Sequence, residues 1–145
     1  MPEFENPPEE EIRALLERVR TIAVVGLSPN PGRPSHRVAT ALKGFGYRIV
    51  PVRPAVATVL GETAYPNLRA IPFAVDLVDV FRAPEHVGPV VEDAIAIGAP
   101  ALWLQEGVVN LQAAQRARDA RLFVVMDRCV YQDYLAFFGA RPRAR

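Results

Sequence analysis

Hydrophobic residues in this chain fall into short continuous runs, separated by segments in which they recur every three or four positions. The runs at 21–25, 47–52, 75–81, 101–104 and 122–126 are rich in valine, isoleucine and leucine. Such runs are typical of strands that are buried on both faces, and the intervening periodicity is typical of amphipathic helices. This alternation predicts a three-layer α/β/α fold with a mostly parallel sheet of five to six strands.

Proline and small polar residues mark where the predicted helices begin. Two prolines at 7–8 precede three glutamates, which predicts an N-terminal helix over about residues 9–20. Ser35 and Asn110 are good N-cap residues and are predicted to cap the helices that follow the first and fourth runs. A closing helix is expected over about residues 131–138.

The periodicity is weakest between residues 55 and 71. There we predict a helical turn near 57–60 and a short edge strand near 62–65. The arginine-rich tail at 141–145 is expected to fray.

Size and charge exclude several classes of function. The 145 residues, 50% of them hydrophobic, fit one compact domain over residues 1–145 with its core at 21–129. A formal net charge of +1 argues against nonspecific nucleic-acid binding, and no apolar run approaches the ~20 residues that span a membrane. The acidic start shows no secretory signal, and Cys129, the single cysteine, cannot form an internal disulfide. We therefore expect a cytoplasmic protein.

Four loops follow the predicted strands, at 26–35, 51–54, 81–84 and 105–109. In open parallel sheets, ligands bind outside the carboxyl ends of the strands. The residues of these loops therefore define the kind of ligand that the protein can hold.

The first loop suits a phosphate. Gly26 permits a tight exit from the strand, the Ser28 hydroxyl can bind a phosphate oxygen, and the backbone N–H groups of residues 35–37 are expected to face an anion. The glycine pattern of NAD-binding loops is absent, because Ser28 and Pro31 stand at its second and third glycine positions. NAD is therefore disfavoured, and the alternative interpretation is a surface loop without a ligand.

Arg53, at the end of the second predicted strand, distinguishes between cofactors. NAD-binding domains usually place an acidic residue there for the ribose hydroxyls, whereas an arginine suits a phosphorylated ribose. Coenzyme A and NADP both carry such a ribose, and both are candidates on this ground. The alternative is a solvated turn residue between two prolines.

The last two loops can line a groove. Phe81 and Arg82 can contact an adenine or pantetheine group and a phosphate, although Phe81 is equally suited to the core. Gln105 and Glu106 are polar groups at the same edge of the sheet, and Gly107 allows a ligand to approach the backbone closely.

No catalytic constellation is recognised in the sequence. Glu106 has no evident partner for general-base chemistry, and Cys129, although near a helix start, is interpreted as an incidental thiol. Asp76 and Asp79 are expected on opposite faces of their strand, so they do not form a carboxylate pair. No spacing of potential ligands suggests a metal site.

Several motifs, taken in order, resemble those of a known family. They are VVGLSPNPGRPS at 24–35, VPVRP at 50–54, GETAYPNL at 61–68, DLVDVFR at 76–82, WLQEGV at 103–108 and VMDRC at 125–129. This set resembles the small bacterial CoA-binding proteins, which are similar to the CoA-binding domain in the α-subunit of succinyl-CoA synthetase. The resemblance covers about residues 21–129 and implies a Rossmann-like sheet with coenzyme A lying over the four loops.

The resemblance also implies which residues contact the cofactor. The phosphates are expected at Gly26, Ser28 and the segment Arg33–Ser35, and the adenosine end is expected at Val52 and Arg53. The full set of expected cofactor-binding residues is Gly26, Leu27, Ser28, Arg33, Pro34, Ser35, Val52, Arg53, Pro54, Phe81, Arg82, Ala83, Gln105, Glu106 and Gly107.

We therefore expect a stand-alone Rossmann-like domain that binds coenzyme A or an acyl-CoA and has no catalysis of its own. In the synthetase the phosphorylated histidine belongs to a further domain outside the resemblance, so ligase activity is not expected. The alternatives are an NADP-dependent oxidoreductase and a nucleotide-binding regulatory domain. Since such sheets commonly dimerise, a homodimer or an unidentified protein partner is a further expectation.

Overall fold

A computed structural model of the chain describes residues 4–143. The strands are β1 (Thr21–Val25), β2 (Arg48–Val52), β3 (Thr58–Val59), β4 (Glu62–Thr63), β5 (Leu77–Val80), β6 (Ala101–Leu104) and β7 (Phe123–Met126). The helices are α1 (Glu9–Arg18), α2 (Pro34–Gly44), α3 (Val87–Ala96), α4 (Leu111–Asp119) and α5 (Val130–Phe138), with 3₁₀ turns at Leu68–Ala70 and Pro84–His86. Each of the five hydrophobic runs forms a strand, as predicted.

Five parallel strands form the central sheet in the order β2-β1-β5-β6-β7. The chain moves from β1 outward to β2, crosses back over β1 to β5, and then continues in the opposite direction. The strand order therefore reverses between β1 and β5, which is where open α/β sheets bind ligands. The prediction of a parallel Rossmann-like sheet between two helical layers is confirmed.

The sheet separates two hydrophobic cores. One face, which carries Val78 and Leu102, is covered by α3 and α4. The other face, which carries Leu77 and Trp103, is covered by α1, α2 and α5. Because α2 and α3 lie on opposite faces, the loops that follow β1 and β5 diverge and leave a crevice between them.

Gly26 allows β1 and β5 to stay close where this crevice opens. Its φ is +85°, and its N–H donates to the carbonyl oxygen of Val52 at 2.9 Å. A Cβ at this position would lie 2.2 Å from the carbonyl oxygen of Phe81. Glycine is the residue that fits both the left-handed conformation and the contact distance.

Residues 57–60 contain a strand rather than the predicted helical turn. β3 and β4 pair as an antiparallel hairpin, and the two residues between them, Leu60 and Gly61, have positive φ values of 56° and 75°. A two-residue type I′ turn requires this conformation at both positions. The predicted edge strand at 62–65 is shorter than expected, since β4 ends at Thr63 and Tyr65 forms a single parallel bridge with Val52.

The helix limits lie close to the predictions, with one wrong cap. Asn110 caps α4, and its Oδ1 accepts the N–H of Ala113 at 3.0 Å. Ser35 does not cap α2, because the helix begins one residue earlier at Pro34, a residue that suits the first helical position.

The C-terminal tail is anchored as far as Arg143, so the predicted fraying is wrong for that part. The Arg143 backbone donates to the carbonyl oxygen of Phe45 at 3.1 Å, and its guanidinium donates to that of Glu17 at 2.8 Å. The same guanidinium lies over the ring of Tyr47. Residues 144 and 145 of the predicted tail lie outside the described residues.

Gly26→Ala is expected to lower the free energy of unfolding by about 2–4 kcal/mol, because the added methyl group forces β1 and β5 apart and strains the backbone. Urea unfolding would measure the change. Gly44→Ala is the matched control: no atom lies within 4 Å of its added Cβ, and its effect should stay below about 1 kcal/mol. Equal stability of the two variants would contradict the account of Gly26.

Candidate functional site

Two adjoining cavities open at the carboxyl ends of the strands. The small cavity, of about 370 Å³, lies between the ends of β1 and β2 and the start of α3. The large cavity, of about 720 Å³, extends from the β1–α2 loop to the residues that follow β6 and β7. Gly26, Arg53, Arg82 and His86 line both cavities, so the two form one continuous groove. Each volume falls in the usual range for small-molecule sites, roughly 300–1,000 Å³.

Thirteen of the fifteen predicted cofactor-binding residues line this groove. Leu27 and Gly107 do not. Leu27 is fully buried in the core beneath α2, and the backbone N–H of Gly107 donates to Oδ1 of Asp127 at 2.8 Å. The residues on the groove are Gly26, Ser28, Arg33, Pro34, Ser35, Val52, Arg53, Pro54, Phe81, Arg82, Ala83, Gln105 and Glu106. Their contact with a cofactor stays a prediction.

The groove also contains residues that sequence reasoning did not select. Most of them lie in the segment after β4 and on α3, outside the four loops that the sequence pointed to. The sequence held one signal for the residues after β4: the motif at 61–68 was part of the family resemblance. No role in ligand binding was assigned to that motif. These additional residues are Val25, Val38, Pro66, Asn67, Leu68, His86, Pro89, Val90, Asp93, Val108 and Cys129.

The β1–α2 loop is held by its own polar side chains. Oγ of Ser35 accepts the N–H of Ser28 at 3.0 Å, and Oγ of Ser28 accepts the N–H of Asn30 at 3.1 Å. Nδ1 of His36 lies 3.0 Å from the carbonyl oxygen of Ser28, so this ring nitrogen is the donor. Each hydroxyl uses an oxygen lone pair in these bonds and keeps its proton available for a ligand.

The N-terminus of α2 offers fewer donors than predicted. The N–H groups of His36 and Arg37 both donate to the carbonyl oxygen of Arg33, at 3.1 and 3.2 Å, and Pro34 has no N–H. Within residues 4–143, the N–H of Ser35 is the one donor of this first turn without an acceptor. The expectation that residues 35–37 all present N–H groups to an anion is therefore wrong for two of the three. An anion at this site can bind the N–H of Ser35 and the neighbouring side chains.

Arginine side chains supply the positive charge of the groove. Among the described residues, the guanidinium groups of Arg33, Arg53 and Arg82 form no ion pair. Two carboxylates also line the groove. Asp93 is already bound by an arginine of the first 3₁₀ turn at 2.7 Å, and Glu106 is exposed. The groove therefore carries an excess of positive charge that suits an anionic ligand.

Gln105 presents a free amide nitrogen to the large cavity. The residue is 4% exposed, and its Oε1 accepts the N–H of Val130 at 3.2 Å. This bond determines the orientation of the amide, since the oxygen must face the N–H group. Within residues 4–143, Nε2 has no acceptor, so a ligand carbonyl or phosphate oxygen can take its hydrogen bond.

Asp79 lies in the sheet below the groove. It is fully buried between Val24 and Trp103 on the neighbouring strands, and within residues 4–143 both carboxyl oxygens lack a hydrogen-bond partner. Burial raises the pKa of Asp79 well above its usual value, which favours the uncharged acid. Asp76 lies at the opposite end of the sheet, where it accepts the N–H of Thr21 at 2.9 Å, so the two do not form a carboxylate pair.

Residues 4–143 contain neither a group of metal-ligating side chains nor a helix that could cross a membrane. Among residues 4–143, no three His, Cys, Asp or Glu side chains are grouped to hold a metal ion. No helix in the same range is long and apolar enough to cross a membrane. The groove combines arginines, one free amide and apolar walls, a set that suits an anionic organic ligand with an apolar part.

A parallel sheet with a cationic groove at its reversal point defines a Rossmann-like α/β protein with a candidate cofactor site. A family model described as a CoA-binding domain matches residues 20–134. The chain belongs to this CoA-binding domain family, as the order of its motifs predicted.

Three similar proteins match most of this chain. The protein YneT of Bacillus subtilis is 40% identical over 127 residues, which cover 88% of this chain and 94% of YneT. A structure from Pyrococcus horikoshii is 35% identical with a TM-score of 0.90, and the match covers 96% of this chain and 100% of that one. A dinucleotide-forming acetyl-coenzyme A synthetase from Ca. Korarchaeum cryptofilum, at 22% identity and a TM-score of 0.68, shares the fold over 78% of this chain and 27% of its own.

Asp79→Asn is expected to stabilise the protein increasingly as the pH rises. The Asp79 carboxyl of the unfolded chain ionises near its ordinary pKa of 3.8, whereas the folded protein keeps it protonated to a higher pH. Wild-type stability should therefore fall relative to the variant above that pH, by at most about 1.4 kcal/mol per pH unit, until the folded-state pKa is passed.

Urea unfolding at a series of pH values from 4 to 9 (about one unit apart) would measure this difference. Asp119→Asn, which removes an exposed carboxylate, is the control for the loss of one negative charge. Stability curves that run parallel for wild type and Asp79→Asn would contradict the raised pKa.

Proposed function

We propose that the protein binds coenzyme A, free or as an acyl-CoA, in the groove and has no catalysis of its own. Coenzyme A combines an adenosine with a 3′-phosphate, a pyrophosphate and a pantetheine arm that ends in a thiol. The observation that carries the proposal is the set of three arginines, without ion-pair partners in residues 4–143, along the groove of a chain from the CoA-binding domain family.

The positions of the arginines suit the phosphate groups of this ligand. Arg33 lies in the β1–α2 loop, Arg53 follows β2, and Arg82 follows β5. A guanidinium group can donate two parallel hydrogen bonds to one phosphate, and it is more easily desolvated than an ammonium group. Arg33 and Arg82 would hold the pyrophosphate above Gly26, and Arg53 would hold the 3′-phosphate at the edge of the sheet.

The two cavities differ in a way that suits the two ends of the ligand. The small cavity has apolar walls from Val52, Leu68 and Val90 next to Arg53, which suits an adenine with a phosphorylated ribose beside it. The large cavity leads from Arg33 to Gln105, whose free Nε2 suits an amide carbonyl of the pantetheine arm.

Binding without catalysis is supported by the isolation of the reactive side chains in residues 4–143. His36 is bound to the carbonyl oxygen of Ser28, and Glu106 forms neither an ion pair nor a side-chain hydrogen bond. A general acid or base needs a defined partner or reacting atom within hydrogen-bond reach. We therefore assign the groove to ligand binding.

Coenzyme A is expected to raise the melting temperature by mass action, with a stabilisation of about 2.7 kcal/mol when its concentration is 100-fold above Kd. Differential scanning fluorimetry with coenzyme A, acetyl-CoA and NADPH at equal concentrations would measure the shift. No shift with millimolar coenzyme A or acetyl-CoA would overturn the proposal. A larger shift with NADPH than with either would favour a nicotinamide cofactor instead.

Arg53→Ala is expected to weaken binding of coenzyme A by about 1.5–3 kcal/mol while leaving dephospho-CoA binding nearly unchanged, because only the former presents a 3′-phosphate to this guanidinium. Isothermal titration with both ligands would measure the preference. Arg20→Ala is the matched control, because it removes the same charge from an exposed position at the opposite end of β1. An unchanged preference in Arg53→Ala would remove Arg53 from the 3′-phosphate role.

A further inference from the structure

Cys129 lines the groove that we propose to bind coenzyme A, a ligand that itself carries a thiol. It is the single cysteine of the chain, it is half-buried, and its side chain lines the large cavity. It immediately precedes α5. A cysteine in this place can react with a sulfur atom that the groove brings to it.

Gln105 supplies an independent sign that a ligand reaches this end of the cavity. Its Oε1 is held by the N–H of Val130, the residue that follows Cys129, and its Nε2 has no acceptor in residues 4–143. A ligand oxygen that accepts from Nε2 would add a hydrogen bond at this end of the groove. In coenzyme A the last amide carbonyl stands a few bonds from the sulfur. An arm bound at Nε2 therefore carries its sulfur toward Sγ of Cys129.

The dimensions of the sheet agree with the length of the arm. Arg33 lies in the loop after β1, and Cys129 follows β7, three strand positions away. At a spacing of about 4.8 Å between strands, this distance is about 14 Å. The pantetheine arm has about twelve backbone bonds, as many as four extended residues, and therefore also spans about 14 Å.

We propose that Cys129 forms a reversible mixed disulfide with coenzyme A held in the groove, an inference that rests on the proposed function. The reaction partner is the symmetrical disulfide of coenzyme A. The Cys129 thiolate attacks one sulfur of that disulfide, a bond forms from Sγ to this sulfur, and the original sulfur–sulfur bond breaks. The second coenzyme A leaves as a thiolate and takes up the proton that Cys129 released. The cysteine is thereby oxidised and the departing coenzyme A is reduced.

The absence of a second cysteine in the sequence determines how the adduct is resolved. With no neighbouring thiol in its own chain to displace coenzyme A, the adduct persists until an external thiol attacks it. A mixed disulfide of this kind protects the sulfur from irreversible oxidation and keeps the ligand in place.

Intact-mass spectrometry of the full chain incubated with coenzyme A disulfide tests the inference. We expect one coenzyme A adduct per chain, removed by dithiothreitol and absent in Cys129→Ser. Because the groove binds the nucleotide part, glutathione disulfide should react more slowly by roughly tenfold or more at equal concentration. Acetyl-CoA should slow the reaction with coenzyme A disulfide, because it occupies the groove with a blocked sulfur.

Gln105→Leu tests the positioning role of the amide. The variant should slow the reaction with coenzyme A disulfide by a larger factor than the reaction with iodoacetamide, a small reagent that needs no binding in the groove and reports the loss of the Val130 hydrogen bond. Equal slowing with both reagents would show an altered Cys129 environment and would overturn the positioning role.

The outcomes separate the inference from the proposed function. A melting-temperature shift with reduced coenzyme A but no adduct would overturn the mixed disulfide alone. An adduct that forms as fast with glutathione disulfide and is not slowed by acetyl-CoA would also overturn it, because Cys129 would then be an ordinary exposed thiol. No shift with either reduced coenzyme A or acetyl-CoA would instead remove the proposed function.

Discussion

The close contact between Gly26 and the carbonyl oxygen of Phe81 is the constraint on which the rest of the structure depends. It keeps β1 and β5 paired to their carboxyl ends while α2 and the turn before α3 leave toward opposite faces. Gly26 itself lines both cavities. The same glycine thus holds the sheet together and keeps the floor of the groove at the level of the backbone.

Polar groups around the groove divide into those that stabilise the fold and those left for a ligand. Ser28, Ser35 and His36 bind one another and hold the β1–α2 loop in one conformation. The guanidinium of Arg53 and Nε2 of Gln105 have no such partner in residues 4–143. A loop that is already ordered loses little conformational entropy on binding, so the free donors can contribute to affinity. This division supports a binding role better than a catalytic one.

Asp79 and Cys129 show how much the surroundings of a residue decide its chemistry. Asp79 is a carboxyl group without a partner in residues 4–143, and its burial in the core favours the neutral acid. Cys129, which by its sequence context is an ordinary thiol, lies at the end of the large cavity because α5 begins directly after it. Neither environment follows from the residues beside it in the chain.

The sequence by itself determined the parallel sheet, the loops that line the groove and the family, because continuous apolar runs, caps such as Asn110 and ordered motifs are local in the chain. The hairpin at β3–β4 was missed, since its turn depends on positive φ at Leu60, which a leucine rarely adopts. Only the tertiary structure could bring Leu68 on its 3₁₀ turn and Val90 on α3 to the groove, or direct Nε2 of Gln105 into it. Those positions result from packing between segments distant in sequence, which no local pattern encodes.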